Sequence, residues 1–126
     1  TELLAPLASD ETMKSFAAPV KAALDDLQKA TMWLMQNAMT KPDNAGAASY
    51  EYMHLFGRVA LGVMWVKIAQ AAIEKKASEP HEAARMDAKL LTARFYMERM
   101  LPETSLRLTR ISTGADTMMS LPEEMF

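Results

Sequence analysis

Residues 49 to 73 read SYEYMHLFGRVALGVMWVKIAQAAI, and from Val59 to Ile73 the polar side chains are Lys67 and Gln70 alone. Tyr50, Met53, Gly57, Ala60, Met64, Ile68 and Ala71 recur at steps of three and four, the period of one helix face. A second stripe, Tyr52, Phe56, Val59, Val63 and Val66, runs beside it. The pattern predicts a helix that starts between Asp43 and Ala47 and runs to about Ala77, which is long for a globular protein. The apolar run is too short and too interrupted to be expected to span a bilayer. A helix apolar on most sides needs neighbours on most sides. It is either the central helix of a bundle, or one of its faces is an interface.

The flanking sequence supplies the neighbours. Upstream, KPDNAG at 41–46 is a turn that closes an earlier helix. In that helix Phe16, Val20, Leu24, Leu27, Thr31, Leu34 and Ala38 form a face. Ser9 is the expected cap, with Asp10 and Glu11 in the first turn, where the helix dipole favours acids. Asp25 and Lys29 are spaced for an i,i+4 pair. Pro19 is expected to kink this helix or to open a second one. Downstream, ASEPHEA at 77–83 resets the chain, with Pro80 suited to a first turn. A third helix carries Met86, Leu90, Ala93, Met97, Met100 and Leu101 on one seam, with Leu91 and Phe95 alongside. Pro102 must break or bend it, and a fourth helix follows at roughly 103–119, with Leu108, Ile111, Ala115 and Met118 inward and Gly114 loosening it. The expected fold is all-α: an antiparallel four-helix bundle with a long, largely apolar second helix, residues 1–126 making one domain.

Composition agrees. The chain has 126 residues, 4 glycines and no cysteine, which excludes disulfides and thiolate metal sites. With 14 basic and 16 acidic residues, the net charge of −2 gives no reason to expect a nucleic-acid partner or an anionic membrane. The sequence begins at Thr1, with neither an initiator methionine nor a basic-then-apolar leader, and reads as an excerpt of a longer polypeptide.

Few residues offer chemistry. Glu51 and His54 form a Glu-x-x-His, half of a di-iron carboxylate set, but His81 has no glutamate three residues before it, so no metal site is expected. Arg85, Lys89, Tyr96 and Arg99 fall on one side of the third helix, where they make either a phosphate- or carboxylate-facing stripe or a solvated face. Trp33 and Trp65 lie off the main seams, as contact-surface or second-layer core residues. Of the 12 methionines, Met53, Met64, Met86, Met97 and Met118 fall on seams and are expected to fill core gaps. No nucleophile–base set, glycine-rich phosphate loop or paired-carboxylate site is spelled, so no catalytic residue is named.

From about Leu27 onward, several short motifs occur in one order: T-x-W-L at Thr31–Leu34, A-G-A-A-S at Ala45–Ser49, GRVALGVMWVK at Gly57–Lys67, K-L-x-T-A-R-F-Y at Lys89–Tyr96, L-P-E at Leu101–Glu103 and G-A-D at Gly114–Asp116. Together they resemble the extra C-terminal helical domain of one branch of bacterial acyl-CoA dehydrogenases, which includes enzymes of long-chain and methylthio-acyl thioesters. The resemblance implies a parent that uses FAD, binds acyl-CoA and passes electrons to an electron-transfer flavoprotein, as a cytoplasmic homo-oligomer. It implies that the flavin site and the catalytic glutamate lie in preceding domains. Glu51, Glu98 and Glu103 are therefore not candidates for the base, and no cofactor is expected in this piece. On this reading Ala93–Tyr96 packs the third helix on the second, and Arg94 pairs with Glu98 or with a carboxylate on a neighbouring helix. Trp33, Trp65, Arg94, Tyr96 and Arg99 are the residues expected to have structural or interface roles. The rival expectation is a free-standing interaction module that uses the apolar second helix.

Overall fold

The computed structural model describes residues 2–126. Five α-helices follow one another: α1 (Glu11–Asn37), α2 (Pro42–Ser78), α3 (Ala83–Phe95), α4 (Glu103–Ser112) and the short α5 (Asp116–Met119). No strand occurs among the described residues. The fold is the expected helical bundle. The short connections reverse the chain between α1 and α2 and between α2 and α3. α2 is the hub: it packs against α1, α3 and α4, and α1 also packs against α4.

The first helix differs from expectation in two details, its cap and the partner of Asp25. Its cap is Asp10, whose side chain accepts the Thr12 amide at 2.9 Å. Ser9 instead ends a 3-10 turn (Pro6–Ser9) and donates to the Pro6 carbonyl. The helix continues through Pro19 as one 27-residue element. Asp25 pairs with Lys21 at 3.8 Å, not with Lys29. The inward face is Met13, Phe16, Ala17, Val20, Ala23 and Ala30, with Leu24, Leu27 and Leu34 half-buried beside it. Small alanines at the contact let α2 approach closely, and Thr31 bonds the Tyr52 hydroxyl across that seam at 2.7 Å.

The second helix begins at Pro42, where a missing N–H costs nothing, and ends at Ser78. An 18-residue window of it has mean hydropathy 1.3, long and apolar enough by composition to cross a bilayer. The sequence expectation differed because it weighed only the interrupted run from Val59 to Ile73. In the fold its buried face is Ala48, Leu55, Val59, Gly62, Val66, Ala69 and Ala72. Gly62 makes this contact close: a Cβ would lie 3.2 Å from Val20 Cγ2 and 3.3 Å from Leu101 Cδ1, so those side chains would have to give way slightly to admit one.

The stripe expected to lead into the core points the other way. Tyr50, Met53, Ala60, Met64, Ile68 and Ala71 are exposed, and Gly57 is half-buried. Phe56, of the second stripe, is exposed too. Periodicity finds a helix face but not its direction, and on α2 two faces are apolar.

Pro102 acts as expected but through an unexpected form. The last turn before it, Tyr96–Met100, is a π-helix closed by Leu101 N–H to Tyr96 O at 2.9 Å. A π turn accommodates one extra residue. Tyr96, Met97 and Leu101 consequently face the core, while Met100 is turned outward. The regular spacing that had put Met100 on the seam fails here, and Leu91 and Phe95 are exposed as well.

Gly114 ends α4 outright. Its φ of +73° suits glycine, and a Cβ would lie 3.1 Å from Asn44 Oδ1. Asn44 is buried, donates to the Asn37 carbonyl at 3.0 Å and accepts the Ala115 amide at 3.0 Å. One side chain thus ties the end of α1, the start of α2 and the turn after α4. The fourth element is therefore shorter than expected, and Met118 is exposed on α5.

Candidate functional site

The densest polar constellation lies where α2, the π turn and α4 meet. α2 contributes Glu51 and Arg58, seven residues apart and hence on one face. α4 contributes Glu103, Arg107 and Arg110, again at helical spacing. Arg107 is buried. Its Nη1 donates to Glu51 Oε2 at 2.8 Å and its Nη2 to Glu103 Oε1 at 2.9 Å. Glu51 Oε1 meets Arg110 at 3.3 Å, and Glu103 Oε2 meets Arg58. Arg58 also donates to the Met100 carbonyl at 3.3 Å, a group in the π turn. The Tyr50 ring lies 5.6 Å from the Arg107 guanidinium carbon, within cation–π range.

Three guanidinium groups therefore meet two carboxylates, and each carboxylate oxygen is engaged. A carboxylate held on both oxygens by arginine is a poor general base and a poor metal ligand. Such a network fixes position: losing one partner strands a buried charge, at about 3–5 kcal/mol for a buried pair. The Nε–H groups of Arg58 and Arg107 are buried with no acceptor among the described residues, which offsets part of that gain.

Tyr96 sits at the edge of the network. It is buried, donates its hydroxyl to the Arg58 carbonyl at 2.7 Å and stacks on Trp65 with ring centroids 6.4 Å apart. Burial pushes its hydroxyl pKa above the usual 10, and the positive Arg58 nearby opposes that rise. The contact ties the π turn to α2, and Ala93, fully buried, lets α3 approach the same helix.

The other expected residues are scattered. Trp65 joins Tyr96. Trp33 lies half-buried near Gly114, and its carbonyl accepts Asn37 Nδ2 at 2.8 Å. Both tryptophans pack against the core cluster. Arg94 makes no ion pair among the described residues; its guanidinium lies 6.0 Å from the Phe16 ring centre, on α1. The expected pair with Glu98 is not formed; Glu98 sits inside the π turn, which alters the α-helical i,i+4 geometry from Arg94. Arg99 is exposed, as are Arg85 and Lys89, so the basic stripe lacks Tyr96, which turns inward.

The Glu-x-x-His spelling is also accounted for. Glu51 is consumed by arginines, and His54 packs on Tyr50 with ring centroids at 4.3 Å. A separate surface group, Glu79, His81 and Glu82, brings three metal-capable atoms together. Cations already lie near both carboxylates there: Lys75 is 3.9 Å from Glu79 and Arg85 is 3.8 Å from Glu82.

Among the methionines expected inside, Met86 and Met97 are buried, whereas Met53 (63% exposed), Met64 (50%) and Met118 (68%) are outside. Sequence reasoning missed Arg107 and Asn44, which are polar residues inside the fold. The usable signal for Arg107 was its i,i+4 spacing from Glu103, on a helix short of apolar residues.

Fold and site together define an all-α bundle whose charged interior braces helices and whose long central helix leaves an apolar face open. The chain belongs to the acetyl-CoA dehydrogenase C-terminal-like family, whose model matches residues 1–122. No curated protein matches the sequence.

That family raises the question of a flavin. The openings between helices measure roughly 100 to 360 Å³. The one at the π turn, roughly 260 Å³, is lined by Pro19, Ala22, Met97, Leu101, Pro102 and Thr104 among others. A common diphosphate site is a set of convergent backbone amides on a glycine-rich turn at a helix N-terminus. Here Gly46 and Gly57 lie within α2, Gly62 is packed against Val20 and Leu101, and the Gly114 turn is filled by Asn44. The described residues do not fit a flavin.

Proposed function

We propose that this domain is a non-catalytic accessory part of an FAD-dependent acyl-CoA dehydrogenase. Its parent would remove hydrogens from the α and β carbons of a fatty or related acyl-CoA. FAD, the catalytic glutamate, the acyl-CoA site and the contact with an electron-transfer flavoprotein would reside in preceding domains of the same cytoplasmic, bacterial polypeptide. The bundle would support assembly and contribute to the outer wall of the acyl-CoA channel. One observation carries this reading: the family match over residues 1–122 describes a C-terminal domain. The paired Glu51 and Glu103 agree with a bracing role.

The alternative, a free-standing interaction module, is favoured by the open apolar face of α2. Reading the gene upstream of Thr1 separates the two, because acyl-CoA dehydrogenase domains there are expected only for the first. Produced alone, the chain should show no flavin absorbance and no dehydrogenation of acyl-CoA. Deleting it from the longer polypeptide should lower melting temperature and weaken assembly. A yellow isolated chain, or a parent indifferent to the deletion, would refute the reading.

A further inference from the structure

The exposed face of α2 is patterned as well as apolar. Along it run Tyr50, Met53, Gly57, Ala60, Leu61, Met64, Ile68 and Ala71, spaced close to the coiled-coil repeat. Nothing lies within 4 Å of where a Cβ would sit at Gly57, so a second backbone has room to approach. Large and small residues are not evenly distributed: the stripe reads large, large, small, small, then large, large, large, small.

Laid against its own reverse, that order is self-complementary. With the crossing point between Ala60 and Leu61, Tyr50 meets Ala71 of the second copy, Met64 meets Gly57, Leu61 meets Ala60, and Met53 meets Ile68. Three of the four layers set a bulky side chain against a small one, as interdigitated packing requires. A parallel arrangement would place Tyr50 on Tyr50 and leave a hole at Gly57. Charge favours the same choice. The first turn of α2 carries Asp43 and the last turn carries Lys75, which also lies 3.9 Å from Glu79, whereas Lys76 is held by Asp87 of α3. Antiparallel pairing puts Lys75 over Gly46 of the second copy, one turn from Asp43, whereas parallel pairing sets like charges together.

We infer that α2 pairs antiparallel with α2 of a second copy of this chain, about a two-fold axis at Ala60–Leu61. The interface is isologous, as in most symmetric dimers. The stripe is about 33 Å long and about 10 Å wide. It is thus smaller than the roughly 800 Å² per partner of a standard interface, so the dimer of this chain is weak and concentration-dependent.

The absence of native cysteine makes the test clean. Under mild oxidation, Ala60→Cys should form a disulfide dimer with itself. Tyr50→Cys should not, because its two copies lie about 30 Å apart along the axis. A mixture of Tyr50→Cys and Ala71→Cys should cross-link to each other. Sedimentation of the unmodified chain should show dimer on the order of 100 µM, weakened at least tenfold by Met64→Glu with circular dichroism unchanged. Self-cross-linking of Tyr50→Cys, or a monomer throughout with an unreactive Ala60→Cys pair, overturns the inference. Either failure leaves the flavin and deletion tests of the proposed function untouched.

Discussion

The two faces of α2 are made of similar residues at the same spacing, yet one is sealed and the other open. The inner face holds Leu55, Val59, Gly62, Val66 and Ala69, all buried. The outer face holds Tyr50, Met53, Ala60, Met64 and Ile68, all exposed. What separates them is fit. The inner face alternates branched side chains with small ones that admit Val20 and Leu101. The outer face is richer in flexible methionine, which adapts to a partner but specifies poorly. Apolar character therefore marks where contact can be made, and complementarity to Val20 and Leu101 marks the face that is filled within the chain.

Substitutions on the two faces should differ sharply. Leu55→Ala, at a fully buried position, should lower unfolding free energy by about 2–5 kcal/mol in denaturant titration. An equal loss from Met64→Ala would erase the distinction. Next in size, Arg107→Met should cost about 3 kcal/mol, the lower end for a broken buried pair, since Glu51 keeps Arg110 and Glu103 keeps Arg58. A neutral result would show that the network orders the bundle without stabilising it.

Tyr96→Phe should cost about 1 kcal/mol near neutrality, the value of one hydrogen bond. It should also change the alkaline limb of stability. The folded-state pKa of Tyr96 is raised by burial, so its contribution is complete below about 10 and declines as pH rises through the folded value. The variant should lose less stability between neutral and strongly alkaline pH than the parent chain. An unchanged slope would remove Tyr96 from the inner contact. Smallest of all, Met64→Gln on the open face should shift monomer stability by no more than about 0.5 kcal/mol.

Helix content and most boundaries were legible because Pro42, Pro80 and Pro102 are local signals whose effect does not depend on neighbours. The long helix was expected to end near Ala77 and ends at Ser78. Its inward direction was not legible, because that depends on which face α1 and α4 complement. Asn44 looked like one more turn residue in KPDNAG, and its two clamping bonds reach residues 7 and 71 positions away. Tyr96 and Trp65 were each noted singly; their stacking needed the π turn to bring them together. Arg107 resembled any surface arginine until Glu51, on another helix, was placed beside it.

The π turn at Tyr96–Met100 has a consequence for how the chain tolerates change in length. An α-helix advances about 100° per residue, so one surplus residue rotates everything after it by that angle. The stretch before it is phased to dock Ala93 on α2, and the stretch after it to deliver Glu103 and Arg107 to the same helix. Each phase is right only because the other is offset. A single-residue deletion there would leave both halves helical while aiming one of them wrongly, a fault of angle and not of composition.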